Sequence, residues 1–314
     1  MIEAARRFRR GFGATFWVLA VIVPLSPVSV AVATEMAVTI DDLPTTGPLP
    51  PGVTRLSIVT QMIRALQQHA APGVYGFANG GQVGDDPELQ EIMRAWRQAG
   101  FQLGNHTFSH ADLSQVSADE FVADIERNEM LLAPLSPAGA AKYFRYPYLH
   151  EGDTREKRSA VQRWLTSRGY TVAHVTVYFE DWAWNDAYAR CAAQKDNQAI
   201  ARMKGMFLEA AKVRLAWSRE LSAKLFNRQV KHILLLHAGA FDALMLDELL
   251  SAYRVDGVAL IGLESAVQDP EYAKMLDLAG DRDRTFLLHV AQAKGVDVPP
   301  VASGPPPELD HLCR

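Results

Sequence analysis

Thr39-Ile40-Asp41-Asp42-Leu43-Pro44 is the stretch on which the rest of the chain is organised. An apolar run over residues 36–40 reads as a short buried strand and stops at two adjacent carboxylates and a proline. Like charges side by side repel, so they need a reason to sit where a strand ends. A solvated turn supplies one, because Asp-Asp-x-Pro is ordinary loop chemistry. A shared cation supplies another. These six residues do not decide between the two.

Outward from this stretch, strand and helix alternate. Residues 53–70 place Leu56, Val59, Ile63 and Leu66 at helical spacing, and 74–77 read as a second strand. Asp86-Pro87 is a helix cap with proline at the first helical position, and Gly100 ends that helix. Residues 101–104 form a third strand. Ser117-Ala118-Asp119-Glu120 is a capping box. A fourth strand follows at 142–145, then a helix expected from Asp153 to Arg168, then one long β-branched fifth strand over 170–178. Residues 180–228 are an excursion, strongly helical over 197–227. The sixth strand, 232–236, is nearly all apolar, as suits a parallel sheet buried on both faces. The seventh is 258–262. Helical segments are expected at 242–253, 271–278 and 284–294, with a Pro-rich tail over 298–307. This α/β pattern implies a parallel barrel or an open doubly wound sheet. Both put chemistry at the carboxyl ends of the strands.

The 314 residues, 48% hydrophobic and 22% charged, suffice for a large core. The first 33 residues read as a secretory signal peptide. Arg6, Arg7, Arg9 and Arg10 precede an apolar stretch over 12–23, and Ala31-Val32-Ala33 is an A-x-A cleavage site. Arg9-Arg10-Gly11-Phe12 also faintly resembles a twin-arginine signal. Cleavage there removes four arginines and one glutamate, taking the formal charge from −4 to −7. Nothing in that balance favours nucleic acid. The only cysteines are Cys191 and Cys313, an even pair that in an exported protein implies a disulfide tying the tail to the body.

Polar residues gather at the predicted strand ends. Asp41 and Asp42 follow strand 1, and Asn105-His106-Thr107-Phe108-Ser109-His110 follows strand 3. Arg145 ends strand 4 in Phe144-Arg145-Tyr146-Pro147-Tyr148. Asp181-Trp182 follows strand 5, and His237 ends strand 6. Each has a plainer reading alone. His106 and His110 fit two exposed helical histidines, and His237 fits a core histidine. Together on one rim, two histidines and a carboxylate form a divalent-metal set with an open position, as a catalytic metal requires. Asn105-His106-Thr107 also matches a glycosylation sequon, a coincidence among ligands. His69, His150, His174, His232, His289 and His311 carry no assigned role, although His150 lies near the Arg145 loop.

These pieces resemble the polysaccharide deacetylases, carbohydrate esterase family 4, whose five ordered motifs all occur here in order. Thr39-Ile40-Asp41-Asp42 resembles T-F-D-D, and His106-Thr107-Phe108-Ser109-His110 matches H-[ST]-x-x-H. Arg145-Tyr146-Pro147-Tyr148 matches R-x-P-Y, Asp181-Trp182 resembles the D-W element, and Leu235-Leu236-His237 matches L-x-H. The resemblance covers about residues 36–265. Departures are Ile40 for the usual Phe, the excursion over 180–228, and the tail.

The resemblance implies a distorted parallel (β/α) barrel of about seven strands with a helical insertion and a C-terminal extension. The expected division is a signal peptide at 1–33, a catalytic domain at 34–268 with the insertion at about 183–228, and a helical and Pro-rich extension at 269–314. It implies metal-dependent removal of acetyl groups from an N-acetylated sugar or polysaccharide. Asp42, His106 and His110 would hold the metal, Zn²⁺ first, although such ligands also accept Co²⁺, Ni²⁺ or Mn²⁺. Asp41 would be the base, held by Arg145. His237 would protonate the leaving amine, oriented by Asp181. The Tyr148 N–H would stabilise the oxyanion, and Trp182 and Leu235 would form the acetyl pocket. Expected partners are an acetylated glycan, with no nucleic acid and no stable membrane span after cleavage, in the periplasm or outside the cell. A non-sugar amide or ester, or a non-catalytic carbohydrate-binding role, stays open. For Asp41 and Asp42 to serve one site, strand geometry must fail at or just after Ile40. Strand 1 is therefore expected to end by Asp41, with both carboxylates facing the cavity of His106, His110 and His237.

Overall fold

The structure, a computed structural model, describes residue 1 and residues 33–84, 86–274, 285–301 and 304–314. The segment read as a signal peptide lies outside the described residues, except at its two ends. In chain order the regular elements are β1 (Thr34–Leu43), α1 (Arg55–Gln68), β2 (Tyr75–Ala78), α2 (Gly80–Val83), α3 (Pro87–Gln98), β3 (Gln102–Asn105) and α4 (Ala118–Leu132). They continue with β4 (Lys142–Phe144), α5 (Arg155–Ser167), β5 (Tyr170–Val172), α6 (Trp184–Gln194), α7 (Asn197–Phe226), β6 (His232–His237) and α8 (Ala240–Val255). The chain closes with β7 (Val258–Ile261), α9 (Leu263–Ala266), α10 (Pro270–Ala273) and α11 (Phe286–Lys294).

Local chemistry places most of these. Asp86 accepts from the N–H groups of Glu88 and Leu89 to start α3, with Pro87 at the first turn. Ser117 and Glu120 form the reciprocal box that opens α4. The cap of α5 is Thr154 rather than Asp153. The Thr154 hydroxyl accepts from the Lys157 N–H, while Asp153 pairs with the Lys157 ammonium at 2.7 Å. Gly100 and Gly169 follow α3 and α5 at φ +90° and +76°, conformations that glycine adopts without a Cβ clash.

All strand pairs are parallel. The order is β5-β4-β3-β2-β1-β6, and β7 also pairs with β1. The expected long fifth strand over 170–178 does not form. β5 keeps only three residues against β4. The chain then breaks, and Val177 bridges in parallel to Leu234 of β6. The Arg145 Nε–H donates to the Ala173 carbonyl at 2.7 Å, and the Phe286 N–H donates to the Val175 carbonyl at 2.8 Å. Two carbonyls that a continuous ladder would use are thus taken by other partners. The broken segment carries the ladder from β4 across to β6 and curls the sheet into the expected distorted barrel.

Two apolar clusters follow the strand alternation. Met36, Val38 and Ile40 of β1, with Leu234 and Leu236 of β6, pack outward against α1, α3 and α8. Ala37 and Ile233 face the other way, with Phe77, Tyr143 and α11. The excursion is α6 followed by one unbroken helix, α7, of 30 residues, about 45 Å long at 1.5 Å per residue. The Ser218 hydroxyl on α7 donates to the Thr176 carbonyl at the strand break. Among the described residues, no helix is long and apolar enough to cross a membrane.

Cys191 on α6 is bonded to Cys313, with Cα atoms 5.1 Å apart. Arg190 reinforces the junction by donating to the carbonyls of Leu309 and Leu312. A crosslink spanning 122 residues is worth up to about 5 kcal/mol in the chain-entropy model. Cys313→Ser is therefore expected to lower stability by about 2–5 kcal/mol in urea titrations, and a loss below about 1 kcal/mol would show that the tail adds little.

Candidate active site

The inward residues of β1 are Ala37, Thr39 and Asp41; strict alternation would turn Asp42 outward with Val38 and Ile40. It does not, because Asp42 sits at φ +63° and the pairing with β2 shifts register between Ile40 and Leu43. Aspartate tolerates this left-handed conformation better than most residues. The expectation that the strand ends by Asp41 is thus corrected: β1 continues to Leu43 with an internal irregularity. The consequence drawn from it holds, since both carboxylates line one cavity with His106, His110 and His237.

Asp41 is 2% exposed and is held by Arg145, itself 1% exposed. One guanidinium nitrogen of Arg145 donates to both Asp41 oxygens at 3.1 and 3.2 Å, and the other terminal nitrogen donates to the Thr39 hydroxyl at 3.2 Å. The guanidinium carbon lies 4.7 Å from the Phe77 ring centre. Burial pulls the Arg145 pKa down, and the Asp41 charge opposes that.

His106 and His110 lie on a loop after β3, not on a helix, and Thr107 and His110 both have positive φ. The loop is fixed from beneath. Asn79 donates to the carbonyls of His106 and Thr107. Asn105, 2% exposed, donates to the Ile125 carbonyl and accepts from the Thr107 N–H and from Asn128. A side chain so engaged is not a glycosylation site in the folded protein. His106 Nδ1 lies 2.8 Å from the Arg145 carbonyl. A carbonyl only accepts, so Nδ1 carries a proton, and Nε2 is the ring nitrogen that faces Asp42.

Asp42 Oδ1 lies 3.5 Å from His106 Nε2 and 3.3 Å from His110 Nε2. It is buried and has no hydrogen-bond donor. The three ligand atoms lie within 4.8 Å of one another. An orphaned buried carboxylate oxygen facing two imidazole nitrogens fits a divalent cation with room for further ligands. Burial pushes the Asp42 carboxyl up, but the neighbouring imidazoles of His106, His237 and His110 outweigh it and hold the carboxyl well below the usual range. Burial and the neighbouring His106 lower His110 to about 4, which leaves it neutral and able to ligate at neutral pH.

Across the cavity, Asp181 is fully buried. Its Oδ2 accepts from the His237 N–H at 2.7 Å, and its Oδ1 lies 3.0 Å from His237 Nδ1. Nε2 is left on the cavity side. Burial pulls His237 down, but Asp181, followed by Asp42 and Asp41, overcomes it and raises the pKa to about 10. Leu235, next inward on β6, also lines the cavity, as do Tyr148 and Trp182. Tyr148 has φ +58° and sets its ring 4.5 Å from that of His110. Trp182 is 47% exposed, and its indole N–H donates to the Tyr178 hydroxyl at 2.8 Å. All ten residues singled out in the sequence thus meet at this rim, with Arg145 and Asp181 behind the lining side chains. Sequence reasoning missed Thr46, Gln82, Leu149 and Tyr178 in the wall. Tyr178, three residues before Asp181, was the one with a positional signal.

Fold and site define a class: a parallel barrel with an Asp–His–His group, able to hold a metal ion, at the carboxyl ends of its strands. Residues 32–166 match the family model Polysaccharide deacetylase. The matched segment holds Asp41, Asp42, His106, His110, Arg145 and Tyr148; Asp181 and His237 lie beyond it. The chain is 29% identical over 93 residues to a chitin deacetylase of Arthroderma benhamiae, covering 30% of this chain and 25% of that one. It is 27% identical over 149 residues to a peptidoglycan-N-acetylglucosamine deacetylase of Bacillus cereus, covering 47% and 46%. The matches thus span less than half the length of these relatives. In fold it resembles the chitin deacetylase of Colletotrichum lindemuthianum (20% identity, 76% of this chain and 90% of that one, TM-score 0.52). It also resembles a pseudoenzyme of carbohydrate esterase family 4 from Bacillus anthracis (14% identity, 76% and 66%, TM-score 0.52).

Removing the Arg145 guanidinium strands the buried Asp41 carboxylate. Arg145→Ala is expected to cost about 3–5 kcal/mol, measured by urea unfolding. A cost below about 1 kcal/mol would mean that Asp41 is not held by this pair.

Proposed function

We propose that this protein is a metal-dependent hydrolase that removes acetyl groups from an N-acetylated glycan. The observation that carries the reading is the division of labour on one cavity wall. Of two adjacent carboxylates, Asp41 has a fixed cation of its own in Arg145, while Asp42 has only two imidazoles and an oxygen without a donor.

Asp42, His106 and His110 would hold the metal. Bound there, a divalent ion such as Zn²⁺ supplies Lewis acidity that lowers the pKa of water and polarises the acetyl carbonyl. Asp41 accepts the proton of the attacking water, and Arg145 keeps that carboxylate aimed. The Tyr148 N–H donates to the developing oxyanion, a contribution of roughly 3 kcal/mol for one such donor. His237 Nε2 then protonates the nitrogen as the C–N bond breaks, releasing acetate and a free amine. Trp182 and Leu235 close around the acetyl methyl. Asp181 keeps the His237 ring in the donor orientation.

The substrate reading rests on the shape of the cavity. It measures about 600 Å³, and none of its lining residues belongs to α6 or α7, so the helical insertion does not lid it. A second groove of about 320 Å³, bordered by the C-terminal tail, shares Thr46 and Trp182 with it. An unlidded pocket that runs on into a groove favours a sugar within a chain over a small free amide. An exported enzyme acting outside the cytoplasm fits a disulfide-linked chain of this kind.

Two experiments test this. Asp41→Asn is expected to lose turnover of N-acetylglucosamine oligomers, measured as acetate release, while keeping its metal; Asp42→Asn is expected to lose the metal, measured by elemental analysis. If both variants still deacetylate, the assignment is wrong. The second uses pH. A general acid works only while protonated, so kcat should fall as pH rises through the His237 pKa, well above the ordinary 6.5. Asp181→Asn should move that alkaline limb down by about one unit or more, and an unmoved limb would exclude His237 as the acid.

A further inference from the structure

Behind Asp181 and His237 lies a buried polar cluster without a part in the steps above. Asp242, in the first turn of α8, is 1% exposed. Its Oδ2 accepts from Asn185 Nδ2 at 3.2 Å, its Oδ1 meets no donor, and its carboxyl is within hydrogen-bonding reach of Asp181. Asn185 is fixed in turn. Its Oδ1 accepts from the Phe241 N–H at 2.8 Å, and its Nδ2 also donates to the Trp182 carbonyl at 3.1 Å. Gly239 closes the cluster, since a Cβ there would stand 2.3 Å from Asn185 Nδ2 and 2.5 Å from Asp242 Oδ2.

Both oxygens of Asp181 already accept from His237, so Asp181 is the anion of the cluster. Among the described residues, no Lys or Arg pairs with Asp181 or Asp242. Two touching carboxyl groups, both cut off from water, cannot both be charged. The proton belongs on Asp242, the partner with a donorless oxygen beside an anion. The other titratable groups facing the cluster are Tyr253 of α8, whose hydroxyl donates to the Ala211 carbonyl of α7, Glu180 beside Asp181, and Asp41, Asp42 and Tyr178 at the cavity.

We propose that Asp242 is a positioning residue for the leaving-group acid: as a neutral carboxylic acid it donates to Asp181, fixing how that carboxylate meets His237 and weakening its hold on the imidazole proton. Asp181 gripping alone would make an imidazolium slower to release its proton, because transfer slows as the acid weakens. Asn185 and the bare Gly239 serve this arrangement by holding Asp242 in place. The proposal rests on the reading of His237 as the acid, so its test includes a measurement that needs no turnover.

That measurement is the NMR titration of the His237 imidazole in the full zinc-loaded chain, assigned by its loss in His237→Gln. Asp242→Ala, which removes the donor, is expected to raise the midpoint by about one pH unit and lower kcat about tenfold with KM changed less than about twofold. Asp242→Asn, whose carboxamide still donates, is expected to return both towards wild type. A midpoint that falls in either variant shows an ionised Asp242 and overturns the proposal, as does an unmoved midpoint in Asp242→Ala. Should Asp242→Ala not fold, Asp242→Asn alone decides, since loss of a charged Asp242 would drop its midpoint by about one unit. If the midpoint moves as stated while wild type releases no acetate, the functional reading fails and the hydrogen bond from Asp242 stands.

Discussion

The buried guanidinium of Arg145 is the constraint on which the site depends. Its side chain joins Asp41 and Thr39 of β1 to the Ala173 carbonyl after β5, over the face of Phe77 on β2. Its own carbonyl fixes the His106 ring. A charge this deep is tolerable only when its donors are satisfied and its partner charge is close. Meeting that demand takes the Ala173 carbonyl away from strand pairing, contributes to the break after β5, and so helps shape the wall opposite His237. One residue therefore sets the Asp41 carboxylate, the His106 ring and the curl of the sheet.

The electrostatics divide the cavity in two. On one side a carboxylate oxygen and two imidazoles face each other with no fixed cation among them. On the other an imidazole is held protonated by a carboxylate that water does not reach. Asp41 stands between, neutralised from behind. The adjacent aspartates are alike in the sequence. They differ in the structure because only one is reached by the guanidinium, and because a left-handed Asp42 turns its side chain to the same wall.

Most of this architecture was legible in the chain. Apolar runs bounded by caps placed six strands to within a few residues, and Asp86 and Ser117 marked helix starts by ordinary capping chemistry. The failures share a cause. The run over 170–178 reads as one strand because its competitors for hydrogen bonds, Arg145 and Phe286, are distant in sequence. The continuation of β1 through Asp42 depends on a backbone conformation that composition does not announce. Asp242 and Asn185 look like ordinary polar residues near helix starts. Only burial against Asp181 distinguishes them, although Ala240-Phe241-Asp242-Ala243-Leu244 sets that acid among apolar neighbours.

Asn105 has a consequence for biosynthesis. Its side chain is a structural strut, bonded to the Ile125 carbonyl, Tyr170, Thr107 and Asn128 beneath the histidine loop. It is also the acceptor of an Asn-x-Thr sequon. Secretory systems that attach sugars to nascent chains do so before tertiary structure forms, when nothing shields this residue. A glycan placed there would occupy the space that α4 must fill, and the histidine loop would have no floor. The fold is therefore compatible only with a maturation route that leaves Asn105 bare until the barrel has closed.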